Sequence, residues 1–383
     1  MIVPDQPSPC WRRKALLAVA VLQTLAFLAP TAQAATEYKD SEPPAVRVWA
    51  VAPAPTGTRC VVFLDRGSEG GSGRESLSVV DLATGEEVKV DFGSLPLSRE
   101  ASWSPDASRF VTAVGVVPER IALVDARTGD WKLIPPQGPA DEPLNYSPRW
   151  SPDGSLVLFE AFVEDVEGYR VCSYNLGTGQ IDVLAVGEIR KVGNPFWGDS
   201  FVFGRYASAN PIRKRYYCRT LQHLDRFKPG YQKELFADLF VERLSVSPSG
   251  TGVAALCLPE DVKAPSKHDG DHTLHLAVSP VEPVERRITS ATFSGQAAPQ
   301  WSPGGDQLLV SLKGSGVALV DVGNEQLTVL SDSAGLPLRG WSARWRGDGE
   351  AILYVRETGS RSAEALCFRL ADRVVTKVFP RSP

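Results

Sequence analysis

The 383 residues carry 43% hydrophobic and 22% charged side chains and a formal net charge of −4. That balance excludes a disordered chain and a protein made of membrane spans, and a mildly acidic body lacks the basic face a nucleic-acid binder needs. Thirty prolines, thirty-three glycines and no long amphipathic helical stretch predict many short strands joined by turns.

Residues 1–34 read as a leader rather than as part of the folded body. Arg12-Arg13-Lys14 is a basic start, Ala15 to Ala29 is an uncharged and largely apolar run, and Ala32-Gln33-Ala34 is an A-x-A cleavage site. The run is shorter than the roughly 20 residues of a membrane helix, and no cysteine follows it in lipobox position. A cleaved signal peptide is expected, delivering the chain to the periplasm or outside the cell with no integral membrane segment. One aspartate and three basic residues leave with it, taking the net charge from −4 to −6. Residues 35–45 form a short linker, and 46–380 the folded domain.

That domain is built on a repeat. Trp103-Ser104-Pro105-Asp106, Trp150-Ser151-Pro152-Asp153-Gly154, Trp301-Ser302-Pro303-Gly304-Gly305 and Trp345-Arg346-Gly347-Asp348-Gly349 share one form, with weaker copies at Val51-Ala52-Pro53, Trp197-Gly198-Asp199 and Val246-Ser247-Pro248-Ser249-Gly250. Successive copies lie 44 to 55 residues apart, a period suited to one four-stranded propeller blade. In the third copy Pro148 to Trp150 is a short strand, and Pro152 ends it because proline offers no N–H to a ladder. Asp153-Gly154 turns the chain into the apolar strand Leu156 to Phe162, and Tyr169 to Tyr174 follows as the third strand. A second turn also recurs, as Asp81-Leu82-Ala83-Thr84-Gly85-Glu86, Asp125-Ala126-Arg127-Thr128-Gly129-Asp130 and Asn175-Leu176-Gly177-Thr178-Gly179-Gln180. Its Asp or Asn accepts backbone N–H groups and its glycine takes positive φ, which makes a hairpin into the fourth strand. The expected fold is therefore all-β, a seven-bladed propeller of four-stranded antiparallel blades, with six blades as the alternative.

The Trp-Ser-Pro-Asp-Gly turn, the aliphatic strand after it and the Asp-x-x-Thr-Gly-Glu/Asp hairpin together resemble the TolB-like β-propeller superfamily, over roughly Val46 to Phe379. The resemblance implies the propeller fold and little about activity, because sites are grafted onto propellers independently of their blades. Two departures from TolB itself stand out. About ten residues separate the leader from the first blade, leaving no room for the amino-terminal α/β domain, and seven repeats replace the usual six blades.

Catalytic signatures are absent from the chain: no G-x-S-x-G, no H-E-x-x-H, no C-x-x-C and no Walker loop occurs, and no catalytic residue is assigned. Two clusters remain as candidates. Lys267 to His275 holds three of the four histidines, and His268, Asp269, Asp271 and His272 form a candidate set for a divalent metal. Against this, Thr273 to Ser279 reads as a strand that sends His272 and His275 to opposite faces, so the primary expectation is no cofactor. Arg213, Lys214, Arg215, Tyr216, Tyr217 and Arg219 combine cations with aromatic rings, as a site for an acidic glycan or acidic partner would. The tryptophans, sharing one repeat position, are expected between blades rather than under sugars. Once Cys10 leaves, Cys60, Cys172, Cys218, Cys257 and Cys367 each sit in an apolar strand as small hydrophobes, with one inter-blade bridge as the alternative. The expected function is that of an exported, non-catalytic scaffold that binds an envelope or secreted protein, or an acidic glycan. The alternative is a polysaccharide lyase or another glycan-active enzyme on the same propeller.

Overall fold

The computed structural model describes residues 46–380 except 67–73, 116–119, 136–144, 164–167, 188, 191–195, 198–199, 211–214, 226–231, 237–238, 240, 251, 259–271, 279–283, 296, 315 and 360–361, and gives backbone alone between 185 and 234. The leader, the linker and the candidate residues Arg213, Lys214, His268, Asp269 and Asp271 lie outside the described residues.

Every described regular element is a strand, and the strands within each stretch pair antiparallel. The first stretch comprises β1 (Val46–Pro53), β2 (Arg59–Arg66), β3 (Arg74–Asp81) and β4 (Glu87–Val90). The second comprises β5 (Leu97–Trp103), β6 (Arg109–Val114), β7 (Arg120–Asp125) and β8 (Trp131–Leu133). Then come β9 (Asn145–Trp150), β10 (Leu156–Val163), β11 (Gly168–Asn175) and β12 (Ile181–Gly187). The next stretch holds β13 (Ile189–Arg190), β14 (Phe196–Trp197), β15 (Ser200–Asn210), β16 (Arg215–Asp225) and β17 (Gln232–Leu235). It is followed by β18 (Val241–Val246), β19 (Gly252–Cys257), β20 (His272–Val278) and β21 (Val284–Phe293). The last two are β22 (Gln300–Trp301), β23 (Gln307–Ser311), β24 (Val317–Asp321) and β25 (Leu327–Val329), then β26 (Trp341–Trp345), β27 (Ala351–Gly359), β28 (Ser362–Arg369) and β29 (Val375–Phe379).

These stretches form a propeller-like arrangement of small antiparallel sheets. By hydrogen bonding there are five sheets, of eight, four, nine, four and four strands, rather than the seven separate ones expected. The count differs because two pairs of stretches are stitched together. A parallel bridge, Arg47 to Ala363, joins β1 to β28, and the bridge Cys218 to Val241 joins β16 to β18.

The repeated turn explains itself atom by atom. Ser104 donates its backbone N–H to the carbonyl of Arg109, and its hydroxyl accepts the Arg109 N–H at 3.0 Å while donating to Asp106 Oδ1 at 2.6 Å. Ser151, Ser247 and Ser302 take the N–H of Leu156, Gly252 and Gln307 in the same way. In the last copy Arg346 stands in the serine's place, and its guanidinium holds Asp348 at 2.8 Å. The first copy is displaced by two residues from where the sequence pattern put it. Pro53 pairs with Cys60 and the Ala54 N–H donates to Arg59, so Pro53, and not Val51, occupies the tryptophan position.

Burial follows the pleat. Middle strands such as β6 and β19 are buried almost throughout, whereas the fourth strands β4, β8, β25 and β29 alternate or face outward. The apolar residues lie between stretches more than within them. Val61, Phe63 and Leu77 pack against Trp103 and Phe110, and Leu256, Leu276 and Phe293 against Trp301 and Leu308. The first and last stretches close on each other through Val48, Val62 and Leu64 against Leu353, Val355 and Ala365. Cys60, Cys172 and Cys257 are buried free thiols and Cys367 is a half-buried one. Burial pushes Cys60 up to about 12 and Cys172 up to about 11, so neither is a nucleophile at neutral pH.

Candidate functional site on the first strands

The first strand of each stretch is the innermost. β1 touches β5 and β26, β5 touches β9, and β22 touches β18 and β26, so first strand meets first strand among these stretches. Three of the repeat tryptophans turn toward the preceding stretch and donate their indole N–H to a first-strand carbonyl there: Trp103 to Ala52 at 2.8 Å, Trp301 to Ser245 at 3.2 Å and Trp345 to Gln300 at 3.1 Å. In every case the acceptor is the residue before the corresponding repeat position. The tryptophans are thus buried between sheets, as their shared position led one to expect, and the same strands present their preceding residue to the other side.

That preceding residue is Ser102, Arg149, Ser245, Gln300 or Arg344 in the described copies that have a polar group there. β-Bulges at Val48/Ala50 in β1, between Leu97 and Ala101 in β5, beside Pro148 in β9 and between Trp341 and Arg344 in β26 interrupt the alternation shortly before it. Such bulges re-aim the side chains beyond them. Arg149 and Arg344 are held alike: each donates Nη1 to the carbonyl of its own preceding residue, Pro148 or Ala343, at 2.9 Å. The Nη2 of Arg149 reaches Glu100 Oε2 at 2.6 Å, from β9 to β5. Arg344 lies deep among protein atoms while staying partly exposed. Burial and the nearby Arg149 guanidinium lower its pKa, and the Glu100 carboxylate opposes them. Arg344 is on β26 and Arg149 on β9, two stretches that are not neighbours in chain order. Arg344 remains a cation at neutral pH.

The residues singled out from sequence fare differently. Arg215, Tyr216, Tyr217 and Arg219 lie on β16, in the long hairpin it makes with β15. His272 opens β20 and is 2% exposed, its ring packed against Gly295, where an added Cβ would stand 2.4 Å from the ring. His275 is also buried, 3.0 Å from the Thr273 hydroxyl and edge-on to Phe236. The two histidines face opposite sides of the strand, as expected, and His272 is a packed core residue. Among the described residues no group of three His, Cys, Asp or Glu side chains is placed to hold a metal ion. Sequence reasoning overlooked Arg149, Arg344 and Glu100; the available signal was an arginine directly before a repeat tryptophan, twice.

No family model and no curated protein matches this sequence. Solved structures do match its fold. An oligogalacturonate lyase in complex with manganese superposes with a TM-score of 0.63 at 11% identity, over 85% of this chain and 90% of that one. The β-propeller domain of the trilobed protease from Pyrococcus furiosus, described as having an open velcro topology, gives 0.59 at 12% identity over 89% and 97%. TolB from Acinetobacter baumannii gives 0.48 at 18% identity over 75% and 65%, too slight a likeness to carry an argument. At these identities the likeness shows the β-propeller fold.

Proposed function

We propose that the chain is an exported, non-catalytic propeller of seven four-stranded blades that binds its ligand or partner at the end and centre where the first strands converge. The blade number is supported by the single-pair bridges Arg47 to Ala363 and Cys218 to Val241: cutting each large sheet there leaves stretches that each begin with a copy of the repeat. Export rests on the leader at 1–34, and among the described residues no helix is long and apolar enough to cross a membrane. The observation that carries the binding reading is the ion pair of Arg149 with Glu100 between the first strands of two blades, with Arg344 anchored in the same way on a third. A packing role alone needs no charged groups on the first strands, where partial burial of Arg149 costs free energy. The partner would be an acidic glycan or an envelope or secreted protein.

The lyase reading draws on the fold shared with oligogalacturonate lyase. It would take its metal ligands from His268, Asp269 and Asp271, since His272 is committed to packing. Incubating the purified chain with oligogalacturonate and manganese, and following the unsaturated product of elimination by its ultraviolet absorbance, separates the two. Turnover by the wild type that is lost in His268→Ala overturns the non-catalytic reading. Binding measured by calorimetry without turnover supports it.

A further inference from the structure

We infer that Arg356 and Lys377, set on the two oxygens of the buried Glu364 carboxylate, form a site for a phosphate-type oxyanion on the last stretch of the chain. The inference goes beyond the binding reading above and does not depend on it, since none of the three residues belongs to a first strand. Three adjacent strands supply the geometry. Arg356 on β27 stands directly opposite Glu364 on β28, and Lys377 on β29 stands opposite Leu366, the next residue of β28 on the same face as Glu364. Arg356 donates Nη2 to Glu364 Oε1 at 2.7 Å, and Lys377 Nζ lies 3.3 Å from Glu364 Oε2. One carboxylate therefore holds a guanidinium and an ammonium side by side, each on its own oxygen.

Burial divides the roles of the three. The Glu364 side chain is 11% exposed, whereas that of Arg356 is 50% and that of Lys377 43% exposed. A ligand in solution thus meets the two cations far more than the carboxylate that positions them. Burial pushes the Glu364 carboxyl up, but the hydrogen bonds from Arg356 and Lys377 outweigh it and hold the group below its ordinary value, so it is an anion at neutral pH. One cation neutralises a buried carboxylate, and the second leaves a surplus positive charge at the surface. Among the described residues no other carboxylate pairs with either cation, and Nε and Nη1 of Arg356 meet no acceptor. Lys377 keeps further N–H groups as well. A phosphate or sulfate group can give one oxygen to the guanidinium and another to the ammonium while a third stays in water, a geometry that suits the arginine fork. Beside the charges on the same face stand Tyr354 and Leu366, both 2% exposed and packed with Leu330 and Leu338. Their packing fixes the strands that carry the site, so little freedom is lost on binding.

Calorimetry on the full chain with inorganic phosphate, sulfate and acetate tests this, together with sedimentation against vesicles of phosphatidylglycerol or of phosphatidylcholine. Wild type is expected to bind phosphate and sulfate more tightly than acetate, and more weakly as salt rises. Lys377→Gln leaves the Arg356–Glu364 pair in place, so it is expected to keep the urea midpoint of unfolding while weakening phosphate at least about ten-fold. Arg356→Gln is expected to weaken phosphate by as much, and Arg356→Lys, which keeps the charge and loses the fork, by less. Arg149→Gln, on a first strand, is expected to leave phosphate binding unchanged, whatever becomes of the binding reading. Co-sedimentation with phosphatidylglycerol alone, lost in Lys377→Gln, assigns the phosphate to a lipid headgroup. Binding of free phosphate without co-sedimentation assigns it to a soluble ester. Phosphate binding that is absent at low salt, matched by acetate, unchanged in Lys377→Gln or lost in Arg149→Gln overturns the inference.

Discussion

Ser302 shows how much of this molecule is decided by single hydroxyls. It is 5% exposed, accepts the Gln307 N–H and donates to Asp306 at 2.8 Å, so it ties together both ends of the turn that starts each blade. Ser302→Ala leaves a buried N–H without that acceptor, and an equilibrium urea titration is expected to show a loss of about 1–3 kcal/mol. Asp106 does related work in the open. Hydrogen bonds from Ser104 and Ser108 lower its pKa to about 2 from 3.8. Since the folded value is the lower one, the stabilisation is complete above the unfolded pKa and is lost as pH falls from about 4 to about 2. Asp106→Asn is expected to flatten that part of the pH–stability curve by lowering stability in the neutral region, where the carboxylate's contribution is complete, and to leave the curve below about pH 2 almost unchanged. Both residues were legible, because serine and aspartate at fixed offsets around a proline have few other uses. Arg149 and Arg344 were not, since a lone arginine in a strand reads as an ordinary surface cation until the strand is known to be innermost.

At the scale of elements, the second turn shows where motif reading stops. Gly85, Gly129 and Gly179 have φ between +71° and +79°, as the Asp-x-x-Thr-Gly pattern requires. The corresponding turns late in the chain use Glu325 at φ +62° and Arg373 at φ +57°, so a pattern that demanded glycine passed over them. The Asp321 carboxylate still accepts the N–H groups of Gly323 and Asn324, as Asp125 accepts those of Arg127 and Thr128. Gly129 has a second duty, because a Cβ there would lie 2.7 Å from the Lys89 carbonyl of the blade before. Thermal unfolding of Gly129→Ala is therefore expected to report a loss of about 2 kcal/mol or more. Arg373→Gly, which relieves the same conformation with nothing overhead, is expected to be neutral or stabilising by up to about 1 kcal/mol. The tryptophans act between elements: Trp301→Phe retains much of the apolar contact with Leu276 and Phe293 and loses the bond to Ser245, an expected cost of about 1 kcal/mol beyond packing.

For the whole molecule the deciding contact is between the first and last stretches. Leu353 is fully buried there among Val48, Val62 and Ala365, as Leu276 is buried between β18–β21 and β22–β25. If the ring is closed by packing as good as any inside it, Leu353→Ala and Leu276→Ala lose similar amounts, about 2–5 kcal/mol each. A much smaller loss at Leu353 in urea titrations would mean that the ends part readily. From the order of residues alone came the all-β class, the period, the position of both turns and the burial of the tryptophans, because each depends on interactions between residues only a few places apart, repeated until chance was excluded. Tertiary structure alone decided that Pro53 begins the first repeat, that His272 is buried against Gly295, and that Arg149 meets Glu100. The last of these joins residues 49 positions apart on two stretches, a proximity that the packing of one stretch on the next creates and that no local spacing announces.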